Sequence, residues 1–198
     1  MLITNISQLL TLAGGAQRGA ELGRLGLMTE QAVLVRAGLI ETIGPEEALL
    51  RAYPNEERFD AGNRVVMPGL VDPHTHLIWA GDRAAEFEMR LQGKSYQEIA
   101  AAGGGIRSTV KATSAASLEQ LVAEARPRAQ AMLRHGTTTA EAKSGYALQH
   151  PGELTMLQAI LDLDAEGPLE LVPTYLGAHD IPPEYQYDPA GYVELLCT

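Results

Sequence analysis

One cysteine stands in the whole chain, Cys197, beside the last residue. Lacking a partner, it excludes an intrachain disulfide framework, and a reducing, cytoplasmic setting fits best. Its side chain is expected to act as a small apolar residue on a helix face. Cations are also scarce: 15 Lys and Arg against 25 Asp and Glu leave a formal charge of -10. That balance repels phosphate backbones and anionic membrane surfaces, so nucleic acid is not an expected partner. The opening MLITNISQLL lacks the basic start and long apolar stretch of a secretory signal, and no apolar run approaches the ~18 residues of a membrane span. No membrane partner is expected. Gly103-Gly104-Gly105 is followed by no GK[ST], which excludes a phosphate cradle and leaves a flexible segment near the site, a candidate lid. No solenoid-length repeat and no low-complexity tract is present.

What is present is the composition of a globular protein, 45% hydrophobic and 20% charged over 198 residues. Residues 1–64 contain short β-like runs, Ala32 to Val35 and Leu39 to Ile43, separated by the Arg36-Ala37-Gly38 turn signal. From Val65 the pattern becomes strand, helix, strand, helix, strand, as in βα units around a parallel sheet. The first such strand is read as Val65 to Val71. Ser95 and Glu98 form a capping box for a short helix ending at Gly103, and Ser117 with Gln120 opens another. The second helix places Leu118, Leu121, Val122, Ala125, Ala129, Met132 and Leu133 on one face, stops at Gly136, and should kink at Pro127. A second strand follows over Thr137 to Ala142, then a helix from about Glu153 to Ala165, then a third strand over Leu169 to Leu176. Pro173 removes a ladder donor and predicts an irregularity there. Asp188-Pro189 starts a further helix.

Chemistry concentrates at His74-Thr75-His76, which holds two of the five histidines and directly follows an apolar strand. Side chains at i and i+2 of an extended segment point the same way, so both imidazoles can reach one cation at the mouth of a sheet. Barrel enzymes build their sites at such strand ends. Strands two and three also end near polar side chains with catalytic potential. Lys143 is expected to pair with Glu141, two residues back on the same face. His135, before the helix-ending Gly136, and His150, in a loop before Pro151, are expected to be structural or surface residues.

The lead PGLVDPHTHL resembles the amidohydrolase superfamily. The strings EFEMRLQGKSYQEIAAAGGGIRSTVKAT, MLRHGTTTAEAKSGYAL and PTYLGAHDIPPEY narrow the resemblance to the imidazolonepropionase family, across essentially the whole chain. The resemblance implies an α/β fold: a partial (β/α)8 TIM-type barrel over 65–198, preceded by part of a small β-sandwich domain over 1–64. It implies hydrolysis of the cyclic amide of 4-imidazolone-5-propanoate to N-formimidoyl-L-glutamate in histidine degradation. One zinc or iron ion is implied as cofactor, with His74 and His76 as its first two ligands. Arg83, Tyr146 and His179 match substrate-binding positions. Arg83 suits the propionate carboxylate, and His179 is also matched to a contact with the reacting carbonyl or oxyanion. A homodimer is implied for the full-length protein.

A (β/α)8 barrel takes ~250 residues, and only three strands are recognisable after Val65. The expectation is therefore of an N-terminal half, with the family's third metal histidine, metal aspartate and catalytic glutamate beyond Thr198, and of little activity from this chain alone. Another amidohydrolase acting on a purine or pyrimidine is the competing enzyme, and a non-catalytic truncated fragment the competing non-enzyme. An anion clamp at Arg83 has no use for a neutral base, which sets the first competitor apart.

Overall fold

The computed structural model describes residues 1–197, so Thr198, the last residue of the expected barrel segment, lies outside the described residues. The chain divides into two compact units, Met1–Pro68 and one that begins at Gly69.

The first unit is a five-stranded sheet with one helix. Its strands are β1 (Leu2–Leu10), β2 (Leu27–Met28), β3 (Gln31–Arg36), β4 (Leu39–Pro45) and β5 (Arg58–Val66), with α1 (Glu46–Ala52) between the last two. β1 pairs antiparallel with β2 and β3 and parallel with β5, and β3 forms the expected hairpin with β4. The uninterrupted apolar run of β3 is used on both faces. Ala32 and Leu34 pack with Leu2 and Leu49, while Val33 joins Ile6, Leu9 and Ala61. Alternate side chains of a strand point to opposite faces, so such a run suits a strand covered on both sides.

The boundary with the second unit corrects the expected first barrel strand. Val65 and Val66 pair with Gln8 and Leu9, so they belong to β5, and the barrel strand is β6, Leu70–Thr75. A single apolar run thus serves two sheets, interrupted at Met67-Pro68-Gly69, where Pro68 has no N–H to continue a ladder.

In the second unit β6 is followed by α2 (Ala84–Leu91), α3 (Tyr96–Ala101), α4 (Ile106–Ala115), α5 (Leu118–Arg134), β7 (Thr137–Lys143), α6 (His150–Glu166), β8 (Glu170–Thr174) and α7 (Pro189–Leu196). β6, β7 and β8 form a parallel sheet in that order. Ser95 and Glu98 do form a capping box: Glu98 accepts from the Ser95 N–H at 2.9 Å, and Ser95 Oγ accepts from the Glu98 N–H at 3.3 Å. Ser117 Oγ caps α5 by accepting from Gln120 N–H, and Asp188 caps α7 through Gly191 N–H. α5 runs on through Pro127. Leu121, Val122, Ala125 and Ala129 of α5 and Met156, Ala159, Ile160 and Leu163 of α6 cover one face of the sheet, meeting Ala140, Ala142 and Leu171. Each large aliphatic buried there contributes about 1.5–3 kcal/mol.

Several expectations are corrected. α2 and α4 are additional to the expected helices, and α6 begins at His150, so His150 is a helix residue and not a loop residue. The irregularity expected at Pro173 is absent, since β7 and β8 pair without a shift from Thr139–Glu170 to Lys143–Thr174. The third strand is also shorter than Leu169 to Leu176. A ladder slip falls instead between Asp72 and Thr75 of β6, at Pro73 and His74. Cys197 is the exposed C-cap of α7, not a residue on its face.

Candidate active site

His74 and His76 leave the C-terminal end of β6 with ring centroids 5.7 Å apart. Thr75 between them is used differently: its hydroxyl donates to the Glu141 carbonyl at 2.6 Å, tying the ends of β6 and β7 together. The slip at Pro73 and His74 lies just before Thr75, which pairs again with Ala142 of β7. The Nδ1 of His76 is buried without a hydrogen-bond partner. Burial, then the nearby His179, His74 and Lys143, push the His76 imidazole below its ordinary pKa. A neutral ring with an unsatisfied buried nitrogen is the donor a metal ion requires. The donor chemistry therefore fits the implied metal, though among the described residues no group of three or more His, Cys, Asp or Glu is placed to hold one.

The loop after β7 and the turn after β8 meet His76. Ser144 is fully buried; its N–H donates to the Thr174 carbonyl at 3.0 Å, and its Oγ accepts from the Leu176 N–H at 2.9 Å. Gly145 follows at φ +110°, and a Cβ there would lie 2.7 Å from His179 Cβ and 2.8 Å from the Leu176 carbonyl. Only glycine permits that approach. His179 Nδ1 lies 3.1 Å from the Gly145 carbonyl. A carbonyl only accepts, so Nδ1 carries the proton and Nε2 is left as the accepting ring nitrogen. His179 stacks on His76 at 4.6 Å, and Tyr146 lies 4.8 Å from His76 and 5.3 Å from His179.

Tyr146 also lines a cavity of about 240 Å³ with Arg83, Trp79, Asp82 and Thr109. Arg83 Nε donates to Thr109 Oγ1 at 3.1 Å and lies 3.8 Å from Glu86 Oε1. Glu86 is buried and accepts from the Gly105 N–H at 2.8 Å. A Cβ on Gly104 would come within 2.7 Å of Ile99 Cγ2 and 2.9 Å of the Ile99 carbonyl. Gly104 thus packs closely against α3, and the Gly105 N–H is held by Glu86. Beneath the cavity Arg128 of α5 stacks 3.4 Å from the Trp79 ring centroid and donates to the Leu77 and Trp79 carbonyls at 3.1 and 2.9 Å.

All five expected residues therefore stand at the C-terminal side of one parallel sheet. His74, His76, Tyr146 and His179 form one ring cluster, and Arg83 joins through the cavity it shares with Tyr146. Lys143 pairs with Glu141 at 2.6 Å, as expected; Glu141 also accepts from Thr174 Oγ1 at 2.6 Å, and these two bonds hold its carboxyl below the usual range. His135 is the exposed C-cap of α5. A separate cavity of about 360 Å³, lined by Arg107, Lys111 and Asp180 among others, contains none of the expected residues. The residues not foreseen are Thr109, Glu86, Arg128 and Glu153. Fully buried Glu153 accepts from the N–H groups of Gly145, Ala147 and Leu148 at 2.7, 2.8 and 2.8 Å.

Parallel strands that deliver paired histidines and a third histidine to one sheet end have the arrangement of a barrel-enzyme segment. Residues 57–154 match the amidohydrolase family. The fold is shared with the zinc- and atraton-bound E241Q mutant of atrazine chlorohydrolase TrzN from Arthrobacter aurescens TC1, at TM-score 0.52 and 14% identity over 87% of this chain and 35% of that one. Sequence relatives narrow the class. The chain is 50% identical over 98% of its length to an imidazolonepropionase of Herpetosiphon aurantiacus, and 50% identical over 100% to one of Deinococcus radiodurans, covering 45% and 47% of those proteins. The chain is thus similar to imidazolonepropionases over essentially its whole length, and it spans about half the length of these curated relatives.

Proposed function

We propose that this chain supplies the first metal ligands and the substrate-binding arm of an enzyme that hydrolyses 4-imidazolone-5-propanoate to N-formimidoyl-L-glutamate. The observation that carries the reading is the stacked His76, Tyr146 and His179 cluster, with the buried, unpartnered Nδ1 of His76 at its base. His74 and His76 would hold zinc or iron. Bound there, the ion would supply Lewis acidity, lowering the pKa of a water from ~15.7 toward ~7 and polarising the ring carbonyl. Arg83 would grip the propionate carboxylate, with its terminal nitrogens free for a two-pronged contact while Nε is anchored on Thr109. Tyr146 would pack on the imidazolone ring and hydrogen-bond its edge, and His179 Nε2 would face the reacting carbonyl. Water adds its oxygen to the carbonyl carbon, the ring C–N bond breaks, and the leaving nitrogen takes a proton.

Two imidazoles fall short of the about three protein ligands a catalytic zinc uses. The remaining ligands and the base would come from the part of the relatives' length that this chain does not span. We further propose a cytoplasmic homodimer for the protein at that length. Arg83 favours this substrate over a neutral purine or pyrimidine, which offers a guanidinium nothing to neutralise. The test is to continue this chain to its relatives' length and follow loss of the imidazolone absorbance with and without a chelator. Turnover should disappear with the metal and return on adding zinc or iron, and undiminished turnover after verified metal removal would refute the assignment.

A further inference from the structure

Glu153 lies in the first turn of α6, where an acidic residue ordinarily meets solvent and the helix dipole. Here it is fully buried, and removing a carboxylate from water costs several kcal/mol unless its oxygens are satisfied. Both oxygens only accept: Oε2 from Gly145, and Oε1 from Ala147 and Leu148. The three donors belong to the short loop that carries Tyr146, so the carboxylate grips the backbone on both sides of that residue. Leu148 is held at φ +54°, a conformation costly for leucine. Gly145, gripped through its N–H, presents its carbonyl to His179 Nδ1. One side chain thus fixes the backbone beneath Tyr146 and the acceptor that orients His179.

We propose that Glu153 is the positioning residue of the substrate site, holding Tyr146 and His179 against His76 through the backbone of residues 145–148. It touches no substrate; it acts through the loop, and the inference rests on the assignment of Tyr146 and His179 as substrate contacts. An apolar residue of similar size would fill the space at lower desolvation cost. What it could not supply is an acceptor for three converging N–H groups.

The direct test is Glu153→Gln, which keeps the size and replaces one accepting oxygen with a donor. In the protein continued to its relatives' length, KM should rise and kcat should fall, each by ~10-fold or more, with cooperative unfolding retained. In a crystal structure of the variant the Gly145–His179 bond and the His76–Tyr146–His179 stack should be lost. This structural readout needs no turnover, so a native protein inactive on imidazolonepropionate would count against the proposed function and leave the positioning role to be judged on the stack. Glu153→Asp keeps the charge one methylene short and should recover part of the loss; it decides the matter if the glutamine variant does not fold. A folded variant with native KM and kcat, or one impaired while the ring stack is intact, would overturn the proposal.

Discussion

Arg83 is held by one edge: Nε is committed to Thr109 Oγ1 at 3.1 Å, and among the described residues its terminal nitrogens make no hydrogen bond. An ammonium can replace the charge but not a planar pair of donors. In the protein at its relatives' length Arg83→Lys should raise KM about 10-fold or more with a smaller change in kcat, and unchanged steady-state kinetics would make Arg83 a surface residue. Gly145 is constrained twice, by φ +110° and by His179 Cβ only 2.7 Å from where its own Cβ would stand. Gly145→Ala should cost about 1–3 kcal/mol, read from chemical denaturation, and should separate His179 from its carbonyl. Tyr192 offers a pH test. Its buried hydroxyl donates to the Gly177 carbonyl at 2.7 Å, and burial first, then the Glu153 charge, push its pKa up to about 12. An unfolded tyrosine ionises near 10, so the unfolded chain releases its proton first. This contribution to stability is complete below pH 10 and is lost as pH rises from 10 toward 12. Tyr192→Phe should cost about 1 kcal/mol at neutral pH and flatten that alkaline decline; an unaltered pH profile would show that Tyr192 does not cause it.

Among the elements, those with a local punctuation mark were legible. Ser95 with Glu98, Ser117 with Gln120 and Asp188 with Pro189 announced three helix starts, and β7 was readable because Thr137 to Ala142 follows the Gly136 stop. α2 and α4 lack such a signal at the cap itself: Arg83 and Gly105 precede them without a side-chain cap hydrogen bond, and at α2 the N–H of Ala84 is met by Asp82 instead. The first barrel strand was placed too early because Val65 and Val66 are as apolar as Leu70 and Val71, and apolarity does not say which sheet a residue pairs into. The HxH pair was legible because period-2 spacing survives into the structure. Glu86 and Glu153 were not, because an acidic residue in an amphipathic helix ordinarily marks the solvent face, and only the folded backbone shows where their acceptors are used. The close packing of Gly104 can be tested directly. Gly104→Ala places a methyl against Ile99 and within 3.1 Å of Glu86 Cδ, so it should destabilise by about 1–3 kcal/mol and loosen Arg83 through Glu86. An unchanged melting temperature would mean that the turn has room to give.

Taken as a whole molecule, the second unit leaves both ends of its three-stranded sheet unpaired among the described residues, with Val71 on β6 and Val172 on β8 66% and 47% exposed. Strand edges with apolar side chains recruit other strands. The 198-residue chain purified alone should therefore form heterogeneous aggregates on a sizing column with light scattering, whereas the chain continued to its relatives' length should run as a discrete dimer; a monodisperse monomer of the short chain would contradict this. Everything in the proposed function depends on His74 and His76 being ligands of a metal on which turnover depends. The most direct test is elemental analysis alongside the imidazolone assay on the protein at its relatives' length, native and as His76→Ala. About one zinc or iron per native chain is expected, with loss of both metal and turnover in the variant. A His76→Ala protein that keeps its metal and its rate would contradict that assignment.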